Sequence, residues 1–105
     1  MQDNDPRFRK IGDMMEKLGL GITHAHEDML FIMHNHFLFQ LGDDIDGPAI
    51  AYLNIENTPE ENDAFLAALA DEAEKVELKM ENGGLYRIKE AGKGNNLELE
   101  FNPSK

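Results

Sequence analysis

Residues 20–41 constrain the fold of this 105-residue chain more than any other segment. The segment is dense in apolar residues, but it is interrupted by polar and ionisable ones: His24, His26, Glu27, Asp28, His34 and Asn35. A membrane-spanning helix needs about 20 consecutive, predominantly apolar residues, so this segment is not expected to cross a bilayer. Short apolar runs between turn residues instead predict β-strands with side chains on both faces of a sheet.

Two turn signals divide this segment into three strands. The first turn is predicted at residues 27–28 and the second at residues 34–35, where Asn35 tolerates a positive φ. Each turn then has two residues, so the residues that flank a turn face each other, as Met33 faces His36. The segment is therefore predicted to be a three-stranded antiparallel meander.

This register assigns the side chains of the meander to two faces. One face is expected to be core and holds Leu30, Ile32, Phe37, Phe39 and Leu41, with Thr23 and Ala25. The other mixes apolar and polar residues: Ile22, Met29, Phe31, Met33, Leu38, His24, His26, His36 and Gln40. Methionine and aromatic anchors are common in interfaces, so we predict partner-binding residues here: Met29, Phe31, Met33 and Leu38. The alternative is that a helix of the same chain covers this face.

Two amphipathic helices are predicted. After Pro6, apolar residues recur at helical spacing as far as Leu18, and Gly19 follows where a left-handed residue often ends a helix. The second helix begins at Thr58, with a proline at its first position and a glutamate three residues after the cap, and it ends near Lys75. Its apolar stripe is expected to lie on the sheet and comprises Phe65, Leu66, Leu69, Ala73 and Val76.

The remaining segments read as strands. Residues 49–55 form a fourth strand, and alternation predicts three more at residues 76–81, 85–89 and 97–101, separated by turns at 82–84 and 92–94. The predicted class is α+β, an antiparallel β-sheet with two helices in the order α-β-β-β-β-α-β-β-β. We expect one domain over residues 1–105, with residues 1–5 frayed and residues 102–105 a flexible tail.

Charge and cysteine content narrow the function. The chain has 21 acidic and 10 basic residues and a net charge of -11, so nucleic acid is not an expected partner. Such acidity serves solubility or favours a basic partner. The absence of cysteine removes disulfides and thiolate chemistry and fits a reducing compartment, and no secretory signal is recognised, so a cytoplasmic location is expected.

No motif indicates catalysis. No nucleophile elbow, phosphate loop or dinucleotide fingerprint is recognised, so neither enzyme activity nor a cofactor is predicted. His24 and His26 are weak metal candidates, because alternate residues of a strand share a side and Glu27 or Asp28 could contribute, whereas the alternative is two solvated histidines. Residues 43–47 resemble half a calcium loop but lack its alternating ligands, so a solvated turn is predicted.

The element order adds a resemblance. A short helix ending in Leu18-Gly19-Leu20, an apolar meander, the strand at residues 49–55, a capped helix and closing strands resemble the type III secretion chaperone fold. Bacterial domains of the YbjN type, which share that fold, are similar from Lys10 to Phe101. The resemblance implies a small acidic cytoplasmic protein that binds other proteins and often dimerises, and it supplies no catalytic residues.

These observations predict a non-enzymatic, protein-binding or chaperone-like module that sequesters a protein partner and forms a homodimer. Two alternatives remain open. One is a small metal-binding protein that uses His24 and His26, and the other is an acidic inhibitor of a basic target protein.

Overall fold

A computed structural model describes residues 5–26, 28–90 and 97–102 of the chain. Its elements are α1 (Pro6–Lys17), β1 (Ile22–His26), β2 (Met29–Ile32), a 3₁₀ turn (Met33–Asn35), β3 (Phe37–Leu41), β4 (Ala49–Asn54), α2 (Pro59–Lys75), β5 (Met80–Glu90) and β6 (Leu97–Phe101). The predicted α+β class is confirmed. None of the described helices combines the length and the apolar character needed to cross a membrane.

The six strands form one sheet in chain order, β1-β2-β3-β4-β5-β6. All neighbouring pairs are antiparallel except β4 and β5, which are parallel. A parallel pair needs a crossover of about a dozen residues or more, and α2 supplies it. The sheet is therefore mostly antiparallel, with one β-α-β unit that the sequence did not predict.

Local signals place both helices where they were expected. The Asp5 carboxylate caps α1 by accepting from the Arg7 backbone N–H at 2.9 Å, and Gly19 adopts φ +74° after the helix. Asp5 was predicted to fray but is buried, whereas residues 1–4 lie outside the described residues. The α2 capping box is complete, because Glu61 N–H donates to the Thr58 hydroxyl and Thr58 N–H donates to the Glu61 carboxylate.

The predicted turn at residues 34–35 and the β2–β3 register are confirmed. Phe31 pairs with Leu38, and both His34 (φ 72°) and Asn35 (φ 56°) are left-handed, as a primed hairpin turn requires. The predicted turn at residues 27–28 is only partly covered by the described residues, yet His26 faces Met29 as expected.

The predicted faces of β1 need correction. The β1–β2 register shifts between Ile22 and His24, so Ile22 packs with the core that contains the helices rather than on the opposite face. Thr23 and Ala25, predicted in that core, are exposed. The reason is their position on an edge strand, beside a register irregularity that the alternation of residue types does not reveal.

The segment after α2 also differs from the prediction. Residues 82–84 were expected to form a hairpin turn, but they lie inside the single strand β5, at a register shift opposite Ala51 and Tyr52. Gly84 has φ +110° at this irregularity. The hairpin turn predicted at residues 92–94 lies outside the described residues.

The main core lies between the two helices and one face of the sheet. Ile11, Met14 and Met15 of α1 and Leu69 and Ala73 of α2 pack on inward-facing residues of the strands: Leu30, Ile32, Phe37, Phe39, Leu41, Ala49, Ala51 and Leu53. The core predicted for β2 and β3 is thus confirmed. Both helices therefore cover the same face of the sheet, and the opposite face packs without them.

Candidate binding face on the sheet

A second apolar cluster lies on the sheet face opposite the helices. We call it the helix-free face and define it by its apolar and aromatic members: Met29, Phe31, Leu38, Tyr52, Tyr86, Ile88, Leu99 and Phe101. Among the described residues, no helical residue belongs to this cluster. The alternative that α1 or α2 covers this face is therefore wrong.

The centre of the helix-free face is closed by its own side chains. Met29, Leu38 and Tyr86 are 8%, 0% and 1% exposed, because they pack against one another and against neighbouring half-buried residues. Met29 and Leu38 were predicted to contact a partner, but the structure places them in the floor of the face. Phe31 is half-buried and remains accessible there.

Met33 is not one of the packed members of this cluster. It lies in the 3₁₀ turn and is 38% exposed, and its terminal methyl group lies near Gly21, its neighbour across from the end of β1. Of the predicted partner-binding residues, the structure therefore leaves Phe31 accessible within this cluster.

An aromatic pair extends the face across β5. The rings of Tyr52 on β4 and Phe101 on β6 are 4.5 Å apart, although β5 separates these strands. Gly83 makes this possible, because a Cβ there would lie 2.6 Å from Ile50 Cγ2 and 2.7 Å from the Tyr52 ring. The glycine leaves room for the tyrosine to lie over β5.

Sequence reasoning missed Tyr52, Ile88, Leu99 and Phe101 as members of this face. The alternation of residues 85–89 and 97–101 did indicate one apolar side. It could not show that this side continues the face that carries Phe31, because that depends on strand order and on the register shift in β5.

Polar groups around the cluster bond to one another. Gln40 donates to the Asp28 carboxylate at 3.1 Å, and the Tyr52 hydroxyl donates to the Gln40 amide oxygen at 3.3 Å. The Tyr86 hydroxyl donates to the Asn35 carbonyl at 2.7 Å, and burial raises the pKa of Tyr86 to about 12. Each of these groups thus has a hydrogen-bond partner within the chain.

Arg87 and Glu100 of the last two strands point away from the cluster. Arg87 of β5 bonds Glu100 of β6 on the opposite side of the sheet, and this bond holds the pKa of Glu100 below its ordinary value. The apolar members of the helix-free face lie in a chain whose net charge is -11, and the Asp28 carboxylate lies at their border. The face is therefore an apolar patch on an acidic molecule.

The histidines are dispersed around the sheet. The His36 ring was predicted on the face with Phe31, but it stacks on Phe65 of α2 at 4.8 Å, and its Nδ1 lies 3.3 Å from Asn57 Oδ1. His36 has helical dihedral angles, so strand alternation does not apply to it. With His34 it borders an apolar cleft of about 350 Å³ between α2 and the 3₁₀ turn.

The metal hypothesis stays a prediction. The His24 ring lies 6.0 Å from the Phe31 ring, at the border of the helix-free face. Among the described residues, no three His, Cys, Asp or Glu side chains form a group that could hold a metal ion. The side chains of His26 and Glu27 are outside the description, so a site that combines them with His24 is not tested.

Comparison of the chain with protein-family models, with curated proteins and with solved structures found no match.

Proposed function

We propose that this protein is a binding module that sequesters a protein partner on the helix-free face, in the manner of a chaperone. The observation that carries the proposal is that both helices pack on one face of the sheet and leave the other to half-buried and exposed aromatic and aliphatic residues: Phe31, Tyr52, Ile88, Leu99 and Phe101. Contiguous apolar patches with polar borders are typical of interaction sites.

The chemistry of the face suits association by burial of carbon surface. Apolar area removed from water contributes about 25 cal/mol per Å², before the entropic costs of binding are subtracted. Tyr52 and Phe101 already restrict each other, so ordering these rings on binding costs little additional entropy. Aromatic residues of this kind are frequent energetic anchors of interfaces.

Charge indicates the kind of partner. A net charge of -11 attracts basic proteins over a distance and accelerates their encounter, while the apolar residues of the helix-free face supply short-range contact. A partner with apolar side chains and a basic surround fits both features. Inhibition of a basic enzyme, the acidic-inhibitor alternative, would be one case of this binding.

The homodimer is part of the same proposal, since a second copy could occupy the helix-free face until a partner displaces it. Mutual repulsion of two acidic copies opposes this association and weakens as salt screens it. Native mass spectrometry of the untagged protein gives the subunit number and any retained metal. A monomer carrying one metal ion would instead support the metal-binding alternative.

The test uses suppression of client aggregation. Reduction with dithiothreitol makes lysozyme, a basic client, and α-lactalbumin, an acidic client, aggregate. This chain has no cysteine and therefore no disulfide for the reagent to reduce. We expect the protein to suppress aggregation of lysozyme more than that of α-lactalbumin. Added salt should reduce this difference between the two clients.

The decisive variant is Phe31→Asp, with Ile45→Asp as its matched control. Ile45 is 52% exposed in the loop beside α1, so the control adds the same charge away from the helix-free face. We expect Phe31→Asp to lose suppression and Ile45→Asp to retain it, with both folded by circular dichroism. Equal activity of the two folded variants would refute the proposal, and a misfolded Phe31→Asp would be replaced by Phe101→Ala, which removes an exposed ring.

A further inference from the structure

Strand β6 forms one edge of the sheet, and within the described residues it pairs with β5 alone. We propose that this edge accepts an extended segment of the partner as a seventh strand, and that the segment alternates apolar and basic side chains. The inference rests on the proposed function, because it specifies which part of a partner the helix-free face receives. It follows from the chemistry of the two sides of β6.

The two sides of β6 differ sharply. Leu99 and Phe101 belong to the helix-free face, whereas Glu98 and Glu100 alternate with them and point to the opposite side. Glu98 is exposed and is the register partner of Lys89 on β5, and Glu100 bonds to Arg87. A strand added at this edge would place successive side chains beside Leu99 and Phe101 on one side and beside the glutamates on the other.

Charge complementarity selects the occupant. Opposite charges in cross-strand neighbours attract and like charges repel, so lysine or arginine beside Glu98 is favoured and an acidic residue is not. The other side chains of the added strand would extend the apolar patch at Leu99 and Phe101. Backbone hydrogen bonds to the edge of β6 that does not face β5 would supply affinity, and this alternation would supply specificity.

The same chemistry disfavours a second copy of β6 as the occupant. Antiparallel pairing of two β6 strands about Leu99 would set Glu98 of one copy opposite Glu100 of the other. Parallel pairing in register would set identical glutamates side by side. Charged side chains on an edge strand protect a sheet from self-pairing, and here they leave basic strands as acceptable partners.

The opposite edge of the sheet lacks these features. The register of β1 shifts between Ile22 and His24, which twists an edge away from regular pairing. Thr23 and Ala25 are exposed on β1 and carry no charge, so they would not favour a basic segment. We therefore assign the added strand to β6.

The experiment measures binding of labelled synthetic peptides by fluorescence anisotropy. One peptide alternates valine and lysine, and the matched peptide carries glutamate in place of lysine. We expect the lysine peptide to bind more tightly than the glutamate peptide. Glu98→Lys should weaken binding of the lysine peptide about fivefold or more. Glu74→Lys, an equal charge change at an exposed position of α2, should alter affinity less than about twofold.

Amide hydrogen exchange locates the bound peptide. Added protection of β6 amides on binding of the lysine peptide is the expected result. Protection confined to β1 or to the helices would overturn the inference, as would equal affinities of Glu98→Lys and Glu74→Lys. If Phe31→Asp abolishes suppression of lysozyme aggregation while Glu98→Lys leaves peptide binding unchanged, the proposed function stands and the inference fails.

Discussion

Arg7 is a buried cation near the start of α1, and Asp5 is its counter-ion. The two side chains are each 5% exposed, and Arg7 donates to both carboxylate oxygens, at 3.1 and 2.8 Å, and to the Gly42 carbonyl at 2.7 Å. Among the described residues, its Nη1 has no hydrogen-bond partner. The pair thus fixes α1 to the loop after β3, and Asp5 also caps the helix.

Replacement of Asp5 by alanine should destabilise the protein strongly. The change removes the cap and leaves the Arg7 charge buried, for which a loss of about 3 kcal/mol is typical. Urea unfolding measures the change in the free energy of unfolding. Asp13→Ala, at an exposed position on the same helix, should change it by less than about 0.5 kcal/mol, and equal losses would contradict the role of Asp5.

The same carboxyl group predicts a pH dependence. The hydrogen bond from the Arg7 side chain holds the pKa of Asp5 below its ordinary value of 3.8, although burial opposes this. The stabilisation is complete above the pKa of the unfolded state and is lost as pH falls through the lower pKa of the folded state. The stability difference between wild type and Asp5→Asn, measured by urea unfolding from pH 7 to pH 2, should shrink only at acidic pH.

Gly83 leaves the space in which the Tyr52 ring of β4 reaches Phe101 of β6. Its replacement by alanine would force Ile50 and the Tyr52 ring to move and would separate Tyr52 from Phe101. We expect a loss of about 1 to 3 kcal/mol in the free energy of unfolding, as for other overpacked sites. The double variant Gly83→Ala, Tyr52→Ala should lose less than the sum of the two single changes, and strict additivity would argue against the contact.

At the scale of elements, α2 depends on its capping box. Thr58→Ala removes the acceptor for the Glu61 N–H and should cost about 1 kcal/mol of stability, whereas Thr58→Ser keeps the hydroxyl and should cost less. Thermal and urea unfolding of the three proteins would test this order. Equal stability of the alanine and serine variants would show that the cap contributes little.

At the scale of the whole molecule, Tyr86 connects β5 to the turn between β2 and β3. Burial raises its pKa from 10.0 to about 12, so between these values the unfolded chain ionises its phenol before the folded protein does. Stability should therefore fall as pH rises through this range. Tyr86→Phe should remove this part of the fall in stability at alkaline pH, as measured by urea unfolding. An unchanged dependence of the free energy of unfolding on pH would contradict the burial of the Tyr86 hydroxyl.

The sequence by itself determined the features that depend on neighbouring residues. The α2 cap at Thr58, the left-handed Gly19 after α1 and the two-residue turn at residues 34–35 are set by side chains within a few positions of each other. The inward residues of β2 and β3 were also predictable, because one correct turn fixes their register. The α+β class follows from these elements and their order.

Only the tertiary structure decided how these elements combine. The parallel pairing of β4 and β5, the burial of Met29 and Leu38, and the Tyr52–Phe101 contact join segments that are distant in the chain. The two register shifts move side chains between faces, and alternation of residue types does not reveal them. The face on which both helices pack is set by the sum of many such contacts, so the accessible part of the helix-free face emerges only once the sheet is assembled.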